Sequence, residues 1–395
     1  MKRLGHFQKC PKGSQAVEAG RPRRGRRRKR RRFAAAPARR RGASLAFHRG
    51  GDSVKWRFSR FSEEQGMKVL VTGGTGFTGS HLTRRMLDRG HETVVLDNQK
   101  GLFDDEFVKR GAKIIYGTVT DPKALAEALD GVEVVHHLAA AFRKINMADK
   151  VYTEINQGGF RSLLELAQQK GVKKVVYCST QGVHGNIDHP PGDENSPIKP
   201  EDYYQFSKHQ GELVAAEYMA KGMDITILRP TALYGPGDPG RFLMMYKWVE
   251  KGFFPFFGDG KVFYHPVYVE NFVDAHELAA ENPAAKGQTY IIADAQYYYI
   301  KDIVAMIAEV MDMPCKMLRL PFWPLYAVSA VVEFLYKPLP WDPPLFRRRA
   351  DWYRQNRAFK IDKARRELGY EPKVGLKEGL KITGDWYRAN GYLKK

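Results

Sequence analysis

The stretch MKVLVTGGTGFTGSHL, Met67 to Leu82, decides how the rest of the chain is read. KVLVTG is an apolar, β-branched run of the length of a strand buried on both faces. TGGTGFTGS then sets Gly73, Gly76 and Gly79 in a G-x-x-G-x-x-G frame. The segment after it, TGSHLTRRMLDRG, reads as a helix with Leu82, Met86 and Leu87 on its apolar side and Gly90 at its end. A strand–glycine turn–helix unit suits a pyrophosphate. Gly73 permits the tight turn, Gly76 lets the ligand approach the backbone, and Gly79 lets the helix pack close to the sheet. The free N–H groups and dipole of the helix start favour an anion. Glycine turns also serve as plain connections, so the turn alone does not settle the ligand.

Outward from the turn, strands and helices alternate. TVVLDN, KIIYGT, VEVVHHLAA and VKKVVYCST read as strands; PKALAEAL, opened by Pro122, and GFRSLLELAQQKG, closed by Gly171, read as helices. Continuous apolar strands between amphipathic helices predict an α/β fold with a doubly wound parallel sheet. Past about Tyr234 the pattern loosens into aromatic- and proline-dense stretches, which predict a smaller C-terminal lobe. The expected organisation is a dinucleotide-binding domain over 67–235 and a mainly substrate-binding lobe over 236–395. Asp97 ends the second strand, 18 residues after Gly79. A carboxylate there binds the adenosine ribose hydroxyls and repels a 2′-phosphate, so NAD is the expected cofactor. NADP is the alternative, which Lys100 keeps open.

Charge separates the first 66 residues from the rest. They hold 21 of the 65 Lys+Arg and 4 of the 44 Asp+Glu, which leaves 44 basic and 40 acidic residues for the other 329. RPRRGRRRKRRRFAAAPARRRG repels itself and has almost no apolar periodicity, so residues 1–66 read as a disordered polybasic tail. Either the tail is a nucleic-acid arm or localisation signal, or translation starts at Met67, with Glu63-Glu64 encoded by a ribosome-binding sequence. Nucleic acid is a partner only if the tail is part of the protein. The three cysteines, Cys10, Cys178 and Cys315, fit no metal site, and their sparse, odd count argues for a reducing compartment. No apolar run is long enough to span a bilayer. The expectation is a cytoplasmic protein without a metal.

Six landmarks stand in order: the glycine frame, HHLAA (136–140), YCSTQGVHG (177–185), Tyr204-x-x-x-Lys208, LRPTALYGPGD and HPVYVENFVDA. In this the chain resembles, from Met67 to Leu393, the extended branch of the short-chain dehydrogenase/reductase superfamily, the NAD-dependent epimerase/dehydratase group. The resemblance implies a Rossmann-type domain with catalytic Thr180, Tyr204 and Lys208. It implies cofactor contacts from Gly73, Thr75, Gly76, Phe77, Thr78, Gly79, Asp97, Asp121, Leu138, Ala139, Ala140, Asn156, Ser179, Tyr204, Lys208, Pro230 and Thr231. The chemistry accounts for these residue types. Hydride transfer from a secondary alcohol also requires removal of the hydroxyl proton. A free tyrosine, with a pKa of about 10, is too weak a base at neutral pH. A lysine one helical turn on favours the phenolate, so Tyr204 is the expected general acid/base and Thr180 the group that fixes the substrate oxygen. Tyr203 lacks a lysine at the fourth position.

The substrate divides the resemblance. Nucleotide-sugar members usually carry Asn in R-P-x-N and an Arg after GDG; this chain has Ala232 and Tyr264. The dehydratases follow the catalytic Thr with Asp-Glu; here Gln181 and Gly182 follow. YVEN (Tyr268–Asn271) and the apolar segment Leu320–Leu339 resemble the 3β-hydroxysteroid dehydrogenase-like subgroup, and the aromatic run Phe253–Phe257 is either pocket lining or core. Leu320–Leu339, interrupted by Pro324 and Glu333, suits a membrane surface beside Arg347, Arg348 and Arg349. The favoured expectation is an oxidoreductase on a lipophilic alcohol; a UDP-sugar 4-epimerase is the alternative, and an NAD-sensing or RNA-binding protein a third. Peripheral membrane contact and a homodimer are open expectations.

Overall fold

The structure, a computed structural model, describes residues 66–142, 148–336, 347 and 353–394. The polybasic tail up to residue 65, Cys10, residues 337–339, Arg348 and Arg349 lie outside the described residues.

Seven parallel strands form the main sheet. In chain order they are β1 (Lys68–Thr72), β2 (Glu92–Asp97), β3 (Lys113–Tyr116), β4 (Val134–His137), β5 (Lys174–Cys178), β6 (Ile225–Pro230) and the Thr289–Ile292 strand. In space the order is Thr289–Ile292, β6, β5, β4, β1, β2, β3. The order reverses between β1 and β4. The carboxyl ends flanking such a switch point form a crevice, because the following connections leave to opposite faces.

The continuous apolar strands are explained by cover on both sides. Leu70, Val94, Leu96, Val135, Val175, Tyr177 and Ile227 pack into one core layer with Phe160, Leu163 and Leu164 of the Phe160–Gln169 helix and Val214 and Ala215 of the Tyr203–Ala220 helix. Val69, Val71 and Val134 point the other way, against Leu82, Met86 and Val273. Leu82 and Met86 are buried and Leu87 partly so, as the periodicity of the first helix, Phe77–Asp88, requires. Alternate residues of one strand therefore serve two layers. This is a Rossmann-type doubly wound fold.

The residues after Tyr234 divide between the sheet and a second core. The Val269–Glu281 helix packs on the sheet, and Thr289–Ile292 extends it. The second core joins the Arg241–Glu250, Ile300–Met311 and Leu376–Ala389 helices around Phe242, Tyr246, Ile303, Ile307, Leu380 and Tyr387. Phe253–Phe257 forms a strand paired in parallel with Lys316–Leu320, and Phe254 and Phe256 are buried in this core. Of the two readings of that aromatic run, the core is the one seen for those two rings.

Asn271 of the YVEN segment ties the sheet-packed Val269–Glu281 helix to the chain's C-terminal part. Its amide donates to Asp294 Oδ1 and to the Val374 carbonyl, and its oxygen accepts from the Lys373 and Val374 N–H groups. The Phe322–Tyr336 helix is different. It buries only Leu325 and Ser329, while Trp323 is 75% and Phe334 76% exposed.

Candidate active site

The glycine turn joins β1 to the Phe77–Asp88 helix, and its glycines are there for different reasons. Gly73 has φ +73°, and a Cβ on it would lie 2.8 Å from the Ala139 nitrogen. A Cβ on Gly79 would lie 1.9 Å from the Gly73 carbonyl oxygen. Gly76, with φ −71°, would meet only that same oxygen, at 3.4 Å. The fold itself therefore needs Gly73 and Gly79 but not Gly76. Gly76 N-caps the helix without a side-chain hydrogen bond, and no acidic residue occupies the first turn, where Phe77 and Thr78 stand. That leaves an uncapped positive helix end facing a bare backbone, which fits a pyrophosphate.

Asp97 reaches this turn from the end of β2. Its carboxylate accepts from the Thr75 N–H at 3.1 Å and the Gln99 N–H at 3.3 Å, and Thr75 Oγ1 donates to the Gln99 carbonyl. Leu138, Ala139 and Ala140 follow β4 and are half-buried; the Leu138 and Ala139 N–H groups donate to the Thr72 carbonyl and Oγ1. Asp121 lies further along the sheet edge, where its carboxylate accepts the Lys123 N–H and caps the Pro122–Ala128 helix. Asn156 is fully engaged inside the protein: its oxygen accepts from the Ala141 N–H at 2.7 Å, and its amide donates to the Ala141 carbonyl and Ser207 Oγ.

The helix Tyr203–Ala220 begins at Asp202, whose side chain accepts the Gln205 N–H at 2.8 Å. Adjacent residues point about 100° apart on such a helix, and this separates the two tyrosines. Tyr203 turns to Thr153, with Oη 3.0 Å from Thr153 Oγ1. Tyr204 is buried beside Ala141 and Tyr152, and the Phe142 ring meets it edge-on at 5.1 Å. One turn on, Lys208 is 1% exposed, and its Nζ lies 4.3 Å over the Tyr177 ring. Burial pulls its ammonium down to about 8. Among the described residues no carboxylate lies within ion-pair distance of it.

β5 ends at Cys178, and Thr180 opens a 3-10 turn, Gln181–His184, that lies against the Tyr203–Ala220 helix. Thr180 Oγ1 accepts from the Gly182 N–H at 3.1 Å, so its hydroxyl proton remains to be donated. Ser179 instead donates inward to Glu212 at 2.5 Å. Pro230 ends β6; the Thr231 N–H donates to the Ile292 carbonyl, while its buried Oγ1 has no hydrogen-bond partner among the described residues. An orphaned hydroxyl at the carboxyl edge fits a polar ligand group, since leaving it unmade costs about 1–3 kcal/mol.

The structure thus gathers the glycine turn, Asp97, Leu138–Ala140, Thr180, Tyr204, Lys208 and Thr231 along one carboxyl edge of the sheet. Sequence reading missed Glu212 and Arg229, which lie buried behind that edge. Their signal was weak: one charge on a helix and one in a strand, 17 residues apart.

The sequence profile of the NAD dependent epimerase/dehydratase family matches residues 69–293. A 3 beta-hydroxysteroid dehydrogenase/Delta 5-->4-isomerase of Mycobacterium tuberculosis is 30% identical over 79% of this chain and 88% of its own. A 2-alkyl-3-oxoalkanoate reductase of Stenotrophomonas maltophilia is 28% identical over 80% of this chain and 98% of its own. The solved UDP-glucose 4-epimerase of Thermotoga maritima, bound to UDP-glucose, superposes with a TM-score of 0.68 at 26% identity, covering 82% of this chain and 99% of that one. With this profile laid over the glycine turn and the site edge, the chain belongs to the NAD dependent epimerase/dehydratase family and is an NAD-dependent enzyme.

Proposed function

We propose that the protein oxidises or reduces a lipophilic, 3β-hydroxysteroid-like secondary alcohol or carbonyl, with Thr180, Tyr204 and Lys208 as its catalytic residues. The observation that carries the catalytic assignment is the buried Lys208 ammonium one turn from Tyr204, without an ion-pair partner among the described residues. When bound, NAD accepts or donates the hydride. In the oxidative direction Tyr204 takes the substrate's hydroxyl proton, and the Lys208 charge favours the phenolate that does so. Thr180 Oγ–H donates to the substrate oxygen. The uncapped helix start, Asp97 and Thr231 would hold the dinucleotide.

The lipophilic part rests on what surrounds Tyr204. Phe142, packed edge-on against it, is 65% exposed and offers an apolar wall. Tyr264 holds the position where nucleotide-sugar members tend to carry Arg, and Arg241 donates to its hydroxyl at 3.2 Å. The relatives named for 3β-hydroxysteroids and 2-alkyl-3-oxoalkanoates support the same substrate class. The epimerase reading is favoured by the superposition on the Thermotoga enzyme. A 3β-hydroxysteroid with NAD decides between them: sustained NADH formation supports the dehydrogenase. Interconversion of UDP-glucose and UDP-galactose without net NADH would overturn it.

Asp97 is proposed to set the cofactor preference. Asp97→Ala is expected to weaken NAD by roughly tenfold or more, the worth of a charge-assisted hydrogen bond. NADP should lose less, because a repulsion goes with the acceptor. Calorimetry on both cofactors checks this, and a wild type that prefers NADP sinks it.

The exposed face of the Phe322–Tyr336 helix is proposed to rest on an anionic bilayer surface. Trp323, Val328, Val331, Phe334 and Leu335 are exposed, Arg347 pairs with Glu333 at 2.6 Å, and Arg319 and Arg354 are exposed nearby in sequence. No helix among the described residues is long and apolar enough to cross a membrane. The chain beginning at Met67 is expected to sediment with anionic vesicles at low salt, and Trp323→Glu to release it. A wild type that stays in the supernatant refutes the contact.

A further inference from the structure

Three elements of the site meet at one buried carboxylate. Glu212 lies one turn beyond Lys208 on the same helix. It accepts Ser179 Oγ–H at 2.5 Å, Arg229 Nε–H at 2.8 Å and Arg229 Nη2–H at 2.7 Å, with His209 Nδ1 at 3.4 Å. Arg229 Nη1 donates to His184 Nε2 at 3.0 Å and to the Glu194 carbonyl at 3.4 Å. Ser179, Glu212 and Arg229 are all buried. Ser179 precedes Thr180, and Arg229 precedes Pro230 and Thr231, so one carboxylate pins the end of β5, the helix of Tyr204 and Lys208, and the end of β6.

We propose that Glu212 and Arg229 are the site's positioning pair: together they fix Thr180 relative to the Tyr204–Lys208 helix, and the Glu212 charge, balanced by Arg229, sets the field in which Lys208 holds its proton. This rests on the catalytic reading of Tyr204 and Lys208 given above.

The groups facing Lys208 show why this balance matters. From β5 come Tyr177 and Cys178, from β4 His137, and from its own helix Tyr204 and Glu212. Burial pushes the Cys178 thiol up to about 11 and Tyr177 higher than usual, and pulls His137 down. All three are therefore uncharged at neutral pH. Burial also pushes Glu212 up, but the hydrogen bonds from Arg229, His209 and Ser179 and the Arg229 charge together more than offset this and hold it down at about 2. Glu212 is the fixed negative charge beside Lys208, and Arg229 is its counter-ion. His184 and His209 touch this pair rather than Lys208. A buried charge left without its partner acts on its neighbours with little screening.

Two variants test the field. Glu212→Gln leaves Arg229 charged, since a guanidinium does not lose its proton at working pH. The site then gains one positive charge, and Tyr204 and Lys208 both release protons more readily. Both limbs of the pH–rate profile are expected to move to lower pH by about one unit. Lys208, followed by NMR in protein carrying 13Cε-lysine, should titrate earlier by the same amount. Glu212→Gln with Arg229→Gln removes both charges and should return both midpoints part-way to the wild-type values, because the nearer Glu212 charge is lost as well; a pair replaced in full is also the better tolerated change. Midpoints unmoved in the single variant, or displaced as far in the double as in the single, overturn the proposal.

Ser179→Ala tests the positioning without altering charge, and keeps the test open if Glu212→Gln does not fold. It is expected to lower kcat by on the order of tenfold, with the Lys208 midpoint unchanged. An unchanged kcat refutes the positioning role. The NMR midpoint needs no substrate. If it shifts in a protein whose turnover ignores Tyr204→Phe, the catalytic reading fails and the field effect does not.

Discussion

Tyr204→Phe is expected to lower turnover by on the order of 10²-fold or more, the scale of a lost general acid/base, while NAD affinity stays within about twofold of wild type. The variant keeps the ring, which is packed by Ala141, Tyr152 and Phe142. Tyr203→Phe is the internal control. Its hydroxyl meets Thr153 Oγ1 at 3.0 Å, away from Lys208, so its removal costs about 1 kcal/mol of stability and leaves the reacting proton untouched. Steady-state rates with saturating NAD, beside thermal melts of both variants, separate the two. Comparable losses of turnover would show that Tyr204 holds no special proton. Lys208→Met should match Tyr204→Phe in rate and, unlike it, raise thermal stability, because a buried ammonium that has no ion-pair partner among the described residues is removed.

Much of the sheet was legible because parallel strands buried on both faces leave an unbroken apolar signature. KVLVT, TVVLD and KVVYC carry it, and each ends where the next turn residues begin. Thr289–Ile292 was not legible. TYII is too short to differ from a buried helix turn, and only its pairing with β6 makes it a strand. The π-helical turn Thr153–Gly159 was also hidden, since its hydrogen-bond register is chosen by tertiary packing; there Asn156 reaches Ala141 and Ser207. At the site, the six ordered landmarks and the resemblance they carry marked Tyr204, Lys208 and the glycines. Spacing did not show that Ser179 would turn inward to Glu212, or that Thr180 would cap a turn through the Gly182 N–H. Those bonds join residues 33 and 2 positions apart, and only the longer one needs the fold to exist. The apolar segment after Leu320 was legible as one that suits a surface rather than a core: of its helix only Leu325 and Ser329 are buried, while Trp323 and Phe334 face outward.

The glycine turn gives the other large effect, and it separates what the fold requires from what the cofactor requires. Gly79→Ala would place a methyl 1.9 Å from the Gly73 carbonyl oxygen and 2.7 Å from Gly74 Cα. Both are backbone atoms of a turn already fixed by the Gly73 N–H to Leu96 carbonyl bond at 2.8 Å, so neither yields without moving the helix off the sheet. The expected cost is about 3 kcal/mol or more, the upper range of overpacking. It should appear in the NAD-free protein as a lowered melting midpoint. Gly76→Ala meets a single atom at 3.4 Å with an ordinary φ of −71°, so the NAD-free protein should melt within about 0.5 kcal/mol of wild type. Its methyl would stand where the pyrophosphate must approach the helix N–H groups. NAD affinity should therefore fall by roughly tenfold or more, and with it the stabilisation that NAD adds. Thermal melts of both variants with and without NAD test the pair at once. If Gly76→Ala binds NAD as the wild type does, the pyrophosphate does not lie on this turn, and the helix start that defines the cofactor end of the site serves only as a connection.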